Sequence, residues 1–351
     1  MSALGEFLRD RLRYAGLLEF LSRKKVPRHR HSFWYIFGGL TLFFFLVQIV
    51  TGVLLLLYYS PTPQGANESV RFIKDQVPFG WLIRSLHSWS ADLMIGTLFI
   101  HMFSVFFMKA YRKPREMMWI SGTILLLLVL GFGFTGYLLP WDTTAYFATQ
   151  IGTEIPKSIP LVGEIIVTVL RGGDFIAEES LKRLFALHVV ILPLLTLVVV
   201  TFHLILNQVH GTSVPIGLVP RKPGLPFYPN YMYRDAITWS AGTMLLFCLA
   251  LMYPVQLGAK ADPFASAPPG IHPEWYFLTL YETLRLVPAT IYGVNSEVIV
   301  NIGVGALVLG LLAVPFLDRT ASMERRGIVF HLIGITAITY MALAITLAYI
   351  T

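Results

Sequence analysis

The sequence has 351 residues, of which 55% are hydrophobic and only 13% are charged. Its mean hydropathy of +0.65 lies well above that of a soluble domain. Charges avoid seven stretches, which are residues 33–59, 88–108, 117–140, 184–206, 236–259, 298–317 and 327–351. Asp92 is the one charged residue within them. Because a helix crosses a membrane in about 20 residues, the sequence predicts an all-α membrane protein with about seven transmembrane helices and excludes a soluble domain.

The net charge of +7 comes from 27 Lys and Arg against 20 Asp and Glu. If the N-terminus is cytoplasmic, 18 of the 27 basic residues fall on the cytoplasmic side, in the N-terminal segment and after the second, fourth and sixth stretches. This is the bias of the positive-inside rule. The basic charge therefore orients the chain in its membrane lipid, with Thr351 outside, and predicts no nucleic-acid partner.

The chain divides into three predicted parts. In residues 1–32, Leu and Phe recur near helical spacing among arginines, which predicts an N-terminal helix lying in the membrane interface. Residues 33–210 contain four of the apolar stretches and are predicted to form a four-helix core. Residues 211–351 supply the other three. The longer loops fall on the outer side.

Four histidines occupy matched positions in the core. The second stretch and its entry hold His87 and His101, and the fourth holds His188 and His203. Intervals of 14 and 15 residues keep each pair near one helix face and separate its members by about 21 Å. Because the two helices are antiparallel, His87 is predicted to face His188 at the outer level, and His101 to face His203 at the inner level.

Such pairs match the ligands of a haem iron, which takes two axial donors. The sequence predicts two stacked haem groups, one per level. Each histidine alone would more simply be a hydrogen-bonding residue, and a non-haem metal is disfavoured because no carboxylate or thiolate accompanies the pairs. Arg84 and Arg183 lie just outside the outer histidines, where they could pair with haem propionates or extend to the membrane surface.

Glycines repeat the same step in the other two core helices. Gly38 and Gly52 lie in the first stretch, and Gly122 and Gly136 in the third, again 14 residues apart. Bare backbone at two levels would let a planar ring pack closely. Ordinary helix packing explains either pair alone, and the shared interval favours haem.

Several motifs resemble cytochrome b of the cytochrome bc complexes over almost the whole chain. They are Arg84-Ser-Leu-His87, Thr135-Gly-Tyr-Leu-Leu-Pro-Trp141, Arg183 with His188, and Pro273-Glu-Trp-Tyr276. The resemblance implies a subunit of a quinol:cytochrome c oxidoreductase with two non-covalent haem b groups, working by a Q cycle that contributes to the proton gradient. It also implies a Rieske iron–sulfur protein and a c-type cytochrome as partners, in a homodimeric complex of a bacterial inner membrane.

The resemblance also implies two quinone sites. At the outer site Glu274 would accept a proton from quinol. The candidate wall residues there are Tyr137, Tyr146, Ala148, Pro273, Tyr276 and Tyr281. For the tyrosines, the membrane aromatic belt is the alternative. At the inner site the candidates are Asn207, Gln208 and His210, with Asp235 as proton donor or, alternatively, a plain helix cap.

The sequence combines features of different branches of this family. The 15-residue histidine interval, Lys113-Pro-Arg-Glu116 and Leu170-Arg-Gly-Gly173 resemble the chloroplast and cyanobacterial branch. In that branch a cysteine before the double glycine of the first helix attaches an extra haem, whereas this chain has Ile36 there. No covalent haem is therefore predicted. The chain is also unbroken after its fourth helix and has seven helices, which suits a fused bacterial form intermediate between the branches.

Two other classes of protein remain open on sequence grounds. A proton-coupled transporter also carries intramembrane histidines and carboxylates, but it needs no paired levels. A dihaem membrane anchor of a soluble dehydrogenase would lack a Rieske partner, and the Pro-Glu-Trp-Tyr motif argues against it.

Ala148 yields a prediction about inhibitors. Mitochondrial members usually have glycine at the matching position, so outer-site inhibitors that need that space should bind poorly here. We expect a strobilurin-type compound to inhibit quinol-dependent cytochrome c reduction only at concentrations well above those for a mitochondrial complex. Inhibition at ordinary mitochondrial potency would contradict this prediction.

Overall fold

The computed structural model describes residues 23–319 and 327–350. Its helices are α1 Ser32–Leu56, α2 Gly65–Asp75, α3 Gly80–Phe107, α4 Glu116–Tyr137, α5 Thr143–Glu154, α6 Gly163–Arg171, α7 Glu178–His210, α8 Phe227–Met252, α9 Leu278–Leu286, α10 Ser296–Leu317 and α11 Val329–Ile350. Short antiparallel strands pair β1 Lys25–Arg28 with β2 Arg221–Pro226 and β3 Thr290–Ile291 with β4 Val294–Asn295. Most of the predicted interfacial helix, residues 1–22, lies outside the described part.

Seven of these helices are long and apolar enough to cross a membrane: α1, α3, α4, α7, α8, α10 and α11. The prediction of an all-α membrane protein with seven spans is confirmed. Helix boundaries differ from the apolar stretches, since α3 and α7 begin earlier and continue through polar residues. Helix α8 ends at Met252, because Pro254 disfavours helical backbone at Tyr253, where φ is −131° and ψ is 66°.

Helix α1 packs along α3, and α4 packs along α7, which makes the core two antiparallel pairs. Gln48 of α1 donates through Nε2 to the His87 carbonyl at 2.5 Å and to Ser90 Oγ at 2.6 Å. Helix α8 joins this core through Trp239, whose Nε1 donates to the Gly39 carbonyl at 3.1 Å. These polar contacts fix the register of neighbouring helices in a largely apolar interior.

The longer connections, containing α2, α5, α6 and α9, share one end of the bundle, here named the long-loop end. Asp142 links two of them: its Oδ1 caps α5 by accepting from the Ala145 N–H at 2.9 Å, and its Oδ2 accepts from the Gly258 N–H at 3.2 Å. An apolar cluster with Leu138, Trp141 and Leu181 packs beneath. The loops at this end thus form a fixed wall over the helices.

The opposite, short-loop end contains a buried ion pair. Lys109 Nζ and Asp318 Oδ2 lie 2.7 Å apart, with both side chains at most 3% exposed. The Tyr111 hydroxyl donates to the same oxygen at 2.7 Å. The pair joins the end of α3 to the end of α10.

Breaking this pair should destabilise the protein. Asp318→Asn removes one half of a buried ion pair, a change that typically costs about 3–5 kcal/mol. We expect the thermal denaturation midpoint in detergent to fall by roughly 5 °C or more. Glu178→Gln is the control, because it breaks an exposed 2.6 Å pair with Lys182 worth under about 1 kcal/mol. Equal midpoints for the two variants would show that the buried pair contributes nothing.

Candidate functional site

Two histidines face each other across the core near the long-loop end. The ring centroids of His87 in α3 and His188 in α7 lie 6.4 Å apart, and the rings are inclined by 72°. A metal–imidazole nitrogen bond is about 2 Å long, so this separation suits one metal ion between the two rings. The structure thus brings together the residues predicted for the outer level.

The second pair lies deeper, toward the short-loop end. His101 and His203 are close enough to interact electrostatically. Within residues 23–319 and 327–350, no third His, Cys, Asp or Glu joins either pair to make a larger metal-binding group. The donor set at each level is two imidazoles, which is the set that a bis-histidine haem iron requires.

Each of the four predicted glycines lies against one of the four histidines. The pairs are Gly38 with His101, Gly52 with His87, Gly122 with His203 and Gly136 with His188. A methyl group added at Gly136 would come within 2.6 Å of the His188 ring, closer than van der Waals contact permits. The glycines therefore let the helix backbone approach the imidazoles at both levels.

Hydroxyl groups orient three of the four imidazoles. Nδ1 lies 2.8 Å from Thr51 Oγ1 in His87, 2.9 Å from Ser121 Oγ in His203 and 3.1 Å from Thr135 Oγ1 in His188. Each hydroxyl donates its own proton to a carbonyl of its helix. The hydroxyl oxygen must therefore accept from Nδ1–H, which leaves the Nε2 lone pair free to bind a metal.

The inner histidine of α3 differs from the others. His101 Nδ1 is buried without a hydrogen-bond partner among the described residues, because Phe37 precedes Gly38 where the other glycines follow Thr or Ser. Sequence reasoning missed these hydroxyls. The Thr or Ser immediately before three of the four glycines is the signal that would have found them.

Both candidate propionate partners bind backbone carbonyls. Arg84 donates to the carbonyls of Val255 at 2.6 Å and Gln256 at 3.0 Å. Arg183 donates to the Thr168 carbonyl at 2.9 Å, near the end of α6. The two guanidinium groups thus hold long-loop segments beside the outer histidines, and pairing with propionates stays a prediction.

A cavity of about 240 Å³ lies at the long-loop end, between α4, α5, α9 and α10. Five of the residues predicted for the outer site line it: Tyr137, Ala148, Pro273, Glu274 and Tyr281. Much of the remaining wall is apolar, with Phe134, Ile151 and Phe277 among its side chains. Such a cavity suits a flat apolar ring with few polar groups.

Two predicted wall residues lie elsewhere. Tyr146 is 5% exposed and belongs to the apolar cluster beneath the loops, where its hydroxyl donates to the Ile176 carbonyl at 3.2 Å. Tyr276 packs against α4 at Gly133, where an added methyl group would lie 2.6 Å from its hydroxyl oxygen. Neither lines the cavity, because each ring is taken up by packing behind the wall.

Glu274 is the carboxylate of the cavity. Burial raises the pKa of Glu274 to about 7, the negative charge of Asp92 adds to the shift, and His272 opposes it. A carboxyl group with this pKa can take up and release a proton near neutral pH. This is the property expected of a proton acceptor for a bound substrate.

The predicted inner-site residues lie toward the short-loop end. The Asp235 carboxylate lies against Gly39, 3.6 Å from where a methyl group would stand, next to the glycine at His101. Gln208 Oε1 accepts from Lys24 Nζ at 2.5 Å. The carbonyls of Asn207 and His210, at the end of α7, accept from Gly211 N–H and Arg115 Nη2.

Comparison with known families gives two matches. Residues 21–211 match the family model described as Cytochrome b/b6/petB, and residues 260–350 match Cytochrome b(C-terminal)/b6/petD. The chain is 50% identical over 330 residues to a cytochrome bc complex cytochrome b subunit of Chlorobaculum thiosulfatiphilum, which covers 93% of this chain and 76% of that protein. It is 45% identical over 211 residues to cytochrome b6 of Heliobacterium mobile, covering 60% of this chain and 99% of the relative.

A solved structure is also similar. A chain of a hyperthermophilic respiratory Complex III superposes with a TM-score of 0.86 at 31% sequence identity. The match covers 97% of the present chain and 90% of the other. The similarity thus extends over the seven spans and the loops.

Gly136 provides a test of the close approach at the outer level. In Gly136→Ala the new methyl group displaces the His188 ring, so we expect the purified protein to lose on the order of half of its haem. Gly131→Ala is the control on the same helix, since its methyl group would lie 3.6 Å from Leu192 in ordinary contact. Haem per chain is measured by the pyridine haemochrome assay. Full haem content in Gly136→Ala would contradict the assignment.

Proposed function

The chain belongs to the cytochrome b family of the cytochrome bc complexes, and from this we propose that it is the dihaem subunit of a quinol:cytochrome c oxidoreductase. The observation that carries the proposal is a pair of histidines at each of two levels, with every imidazole ring packed against a glycine. Bound there, two haem b groups would supply one-electron transfer between the two ends of the bundle. No covalent haem is proposed, because Ile36 stands where an attaching cysteine would lie.

Quinol oxidation is assigned to the cavity at the long-loop end. Its apolar walls accept a quinol ring, and Tyr137, Ala148 and Tyr281 shape the space around it. Loss of two electrons releases two protons, so a base is needed beside the substrate. Glu274 lines the cavity and takes up one of these protons.

Quinone reduction is assigned to the opposite end. Asp235 of α8 lies against Gly39 of α1, the residue after the glycine that contacts His101, so a quinone there would be near the inner haem. Its carboxyl group supplies a proton to the reduced quinone. Asn207, Gln208 and His210 provide polar groups at the end of α7, and together the two sites make up a Q cycle.

The proposed arrangement places the long-loop end outside and the N-terminus in the cytoplasm of a bacterial inner membrane. The exposed long-loop end then faces a Rieske iron–sulfur protein and a c-type cytochrome subunit. The Rieske protein takes one of the two electrons of quinol. A homodimer of the complex is expected. Residues 33–210 form the haem-binding core and residues 211–351 carry the Pro-Glu-Trp-Tyr segment, Pro273–Tyr276.

A membrane anchor for a soluble dehydrogenase is the alternative that shares the two haems. The cavity beside Glu274 favours quinol oxidation with a Rieske partner. Purification of the intact complex tests the proposal in two steps. Pyridine haemochrome assay should find two protohaems per chain, and the complex should reduce cytochrome c with added quinol and contain a Rieske centre. Absence of protohaem would overturn the proposal, and haem without a Rieske centre would favour the anchor.

Glu274 should govern the pH dependence of quinol oxidation. Because its pKa is raised to about 7, the fraction of proton-accepting carboxylate rises with pH from about 6 to 8, and the rate should rise with it. Glu274→Gln should lower kcat by about tenfold or more and remove this rise. The exposed Glu297, changed to Gln, is the control. A variant Glu274→Gln with wild-type rate and pH profile would exclude the assigned role.

A further inference from the structure

Asp92 is the charged residue within the seven apolar stretches, and the quinol chemistry does not use it directly. A carboxylate inside a membrane is costly and marks a functional position. Its Oδ1 accepts a hydrogen bond of 2.8 Å from Trp275 Nε1. Trp275 belongs to the Pro-Glu-Trp-Tyr segment and follows Glu274 directly.

The direction of Asp92 on α3 explains this contact. Asp92 lies five residues after His87, so its side chain points about 140° away from that histidine and off the helix face that carries the two histidines. Phe99, seven residues further and on the same face, contacts the indole with ring centroids 6.2 Å apart. One face of α3 thus binds Trp275 through a polar and an aromatic contact.

The next residue fixes the segment from the other side. Tyr276 packs against Gly133 of α4, where an added methyl group would lie 2.6 Å from its hydroxyl oxygen. The segment is therefore held between α3 and α4. Glu274, at its other end, faces the cavity.

We propose that Asp92 is a positioning residue of the outer site: it holds Trp275, and through it Glu274, at the cavity wall. This inference rests on the proposed oxidation of quinol in the cavity. A serine or asparagine could accept the same hydrogen bond, so a carboxylate contributes charge as well as an acceptor.

Several titratable groups surround Glu274. Asp92 lies on α3 and Tyr137 on α4. His272 directly precedes the Pro-Glu-Trp-Tyr segment, and Tyr276 is its last residue. Asp92 is the negative neighbour that raises the pKa of Glu274 in addition to burial, and His272 lowers it. Neutralising Asp92 should therefore lower the pKa of Glu274.

Three variants in the intact complex separate position from charge. Asp92→Asn keeps an acceptor for Trp275 and removes the charge, so the acid limb of quinol oxidation should move to lower pH by roughly half a unit with little change in KM. Trp275→Phe removes the donor and keeps the charge. Asp92→Leu removes both the acceptor and the charge. Trp275→Phe and Asp92→Leu should lower kcat/KM for quinol by about five- to tenfold, and their effects should not add in the double variant.

Controls make the outcomes distinct. Dithionite-reduced spectra report the haem content without quinol, and only variants with full haem are compared. Asp262→Asn, an exposed carboxylate of the same long loop, should leave both the profile and kcat/KM unchanged. Wild-type pH profile in Asp92→Asn, or wild-type kcat/KM in Trp275→Phe, would overturn the inference. Failure of the wild-type complex to oxidise quinol would instead overturn the proposed function.

Discussion

The close approach of glycine backbone to imidazole rings is the constraint on which the core depends. Where α1 crosses the two histidine rings of α3, and α4 those of α7, the contact residue is a glycine whose added methyl group would come within 2.6–3.3 Å of the ring. A helix returns to nearly the same face after 14 residues, so one spacing serves both levels. A slip of one residue would turn both glycines of a helix by about 100° and place side chains against both rings. The two levels are thus set by a single helix register.

The hydroxyls add orientation to this spacing. At three histidines a Thr or Ser accepts from Nδ1–H, which fixes the ring plane and raises the basicity of the other nitrogen. The hydroxyl comes from the residue before the glycine. One dipeptide therefore both makes room for the imidazole ring and fixes its orientation. His101 has the glycine contact, but its Nδ1 has no hydrogen-bond partner among the described residues. The four histidines are therefore not equivalent, although their spacing is nearly symmetric.

Much of this arrangement followed from periodicity. Intervals of 14 and 15 residues placed the histidines and glycines correctly, because helix geometry acts within one element. Contacts between distant elements were not accessible in this way: Trp275 lies 183 residues from Asp92, and Arg84 binds carbonyls in a segment beyond α8. The sequence predicts Tyr146 at the cavity wall, but a residue type cannot show which side of a wall a ring occupies, and Tyr146 lies in the apolar cluster beneath the loops. Local chemistry also changed a boundary, where Pro254 ended α8 early.

The connection at residues 211–226 joins the four-helix core to the remaining spans, yet the contacts between these two halves do not depend on it. Lys109 with Asp318, Trp239 with Gly39, and Asp92 with Trp275 link them at different positions along the bundle. Each joins residues that are far apart in the sequence. Cohesion of the two halves is therefore written into these pairings rather than into the intervening chain, and a cut within residues 211–226 would leave all three in place.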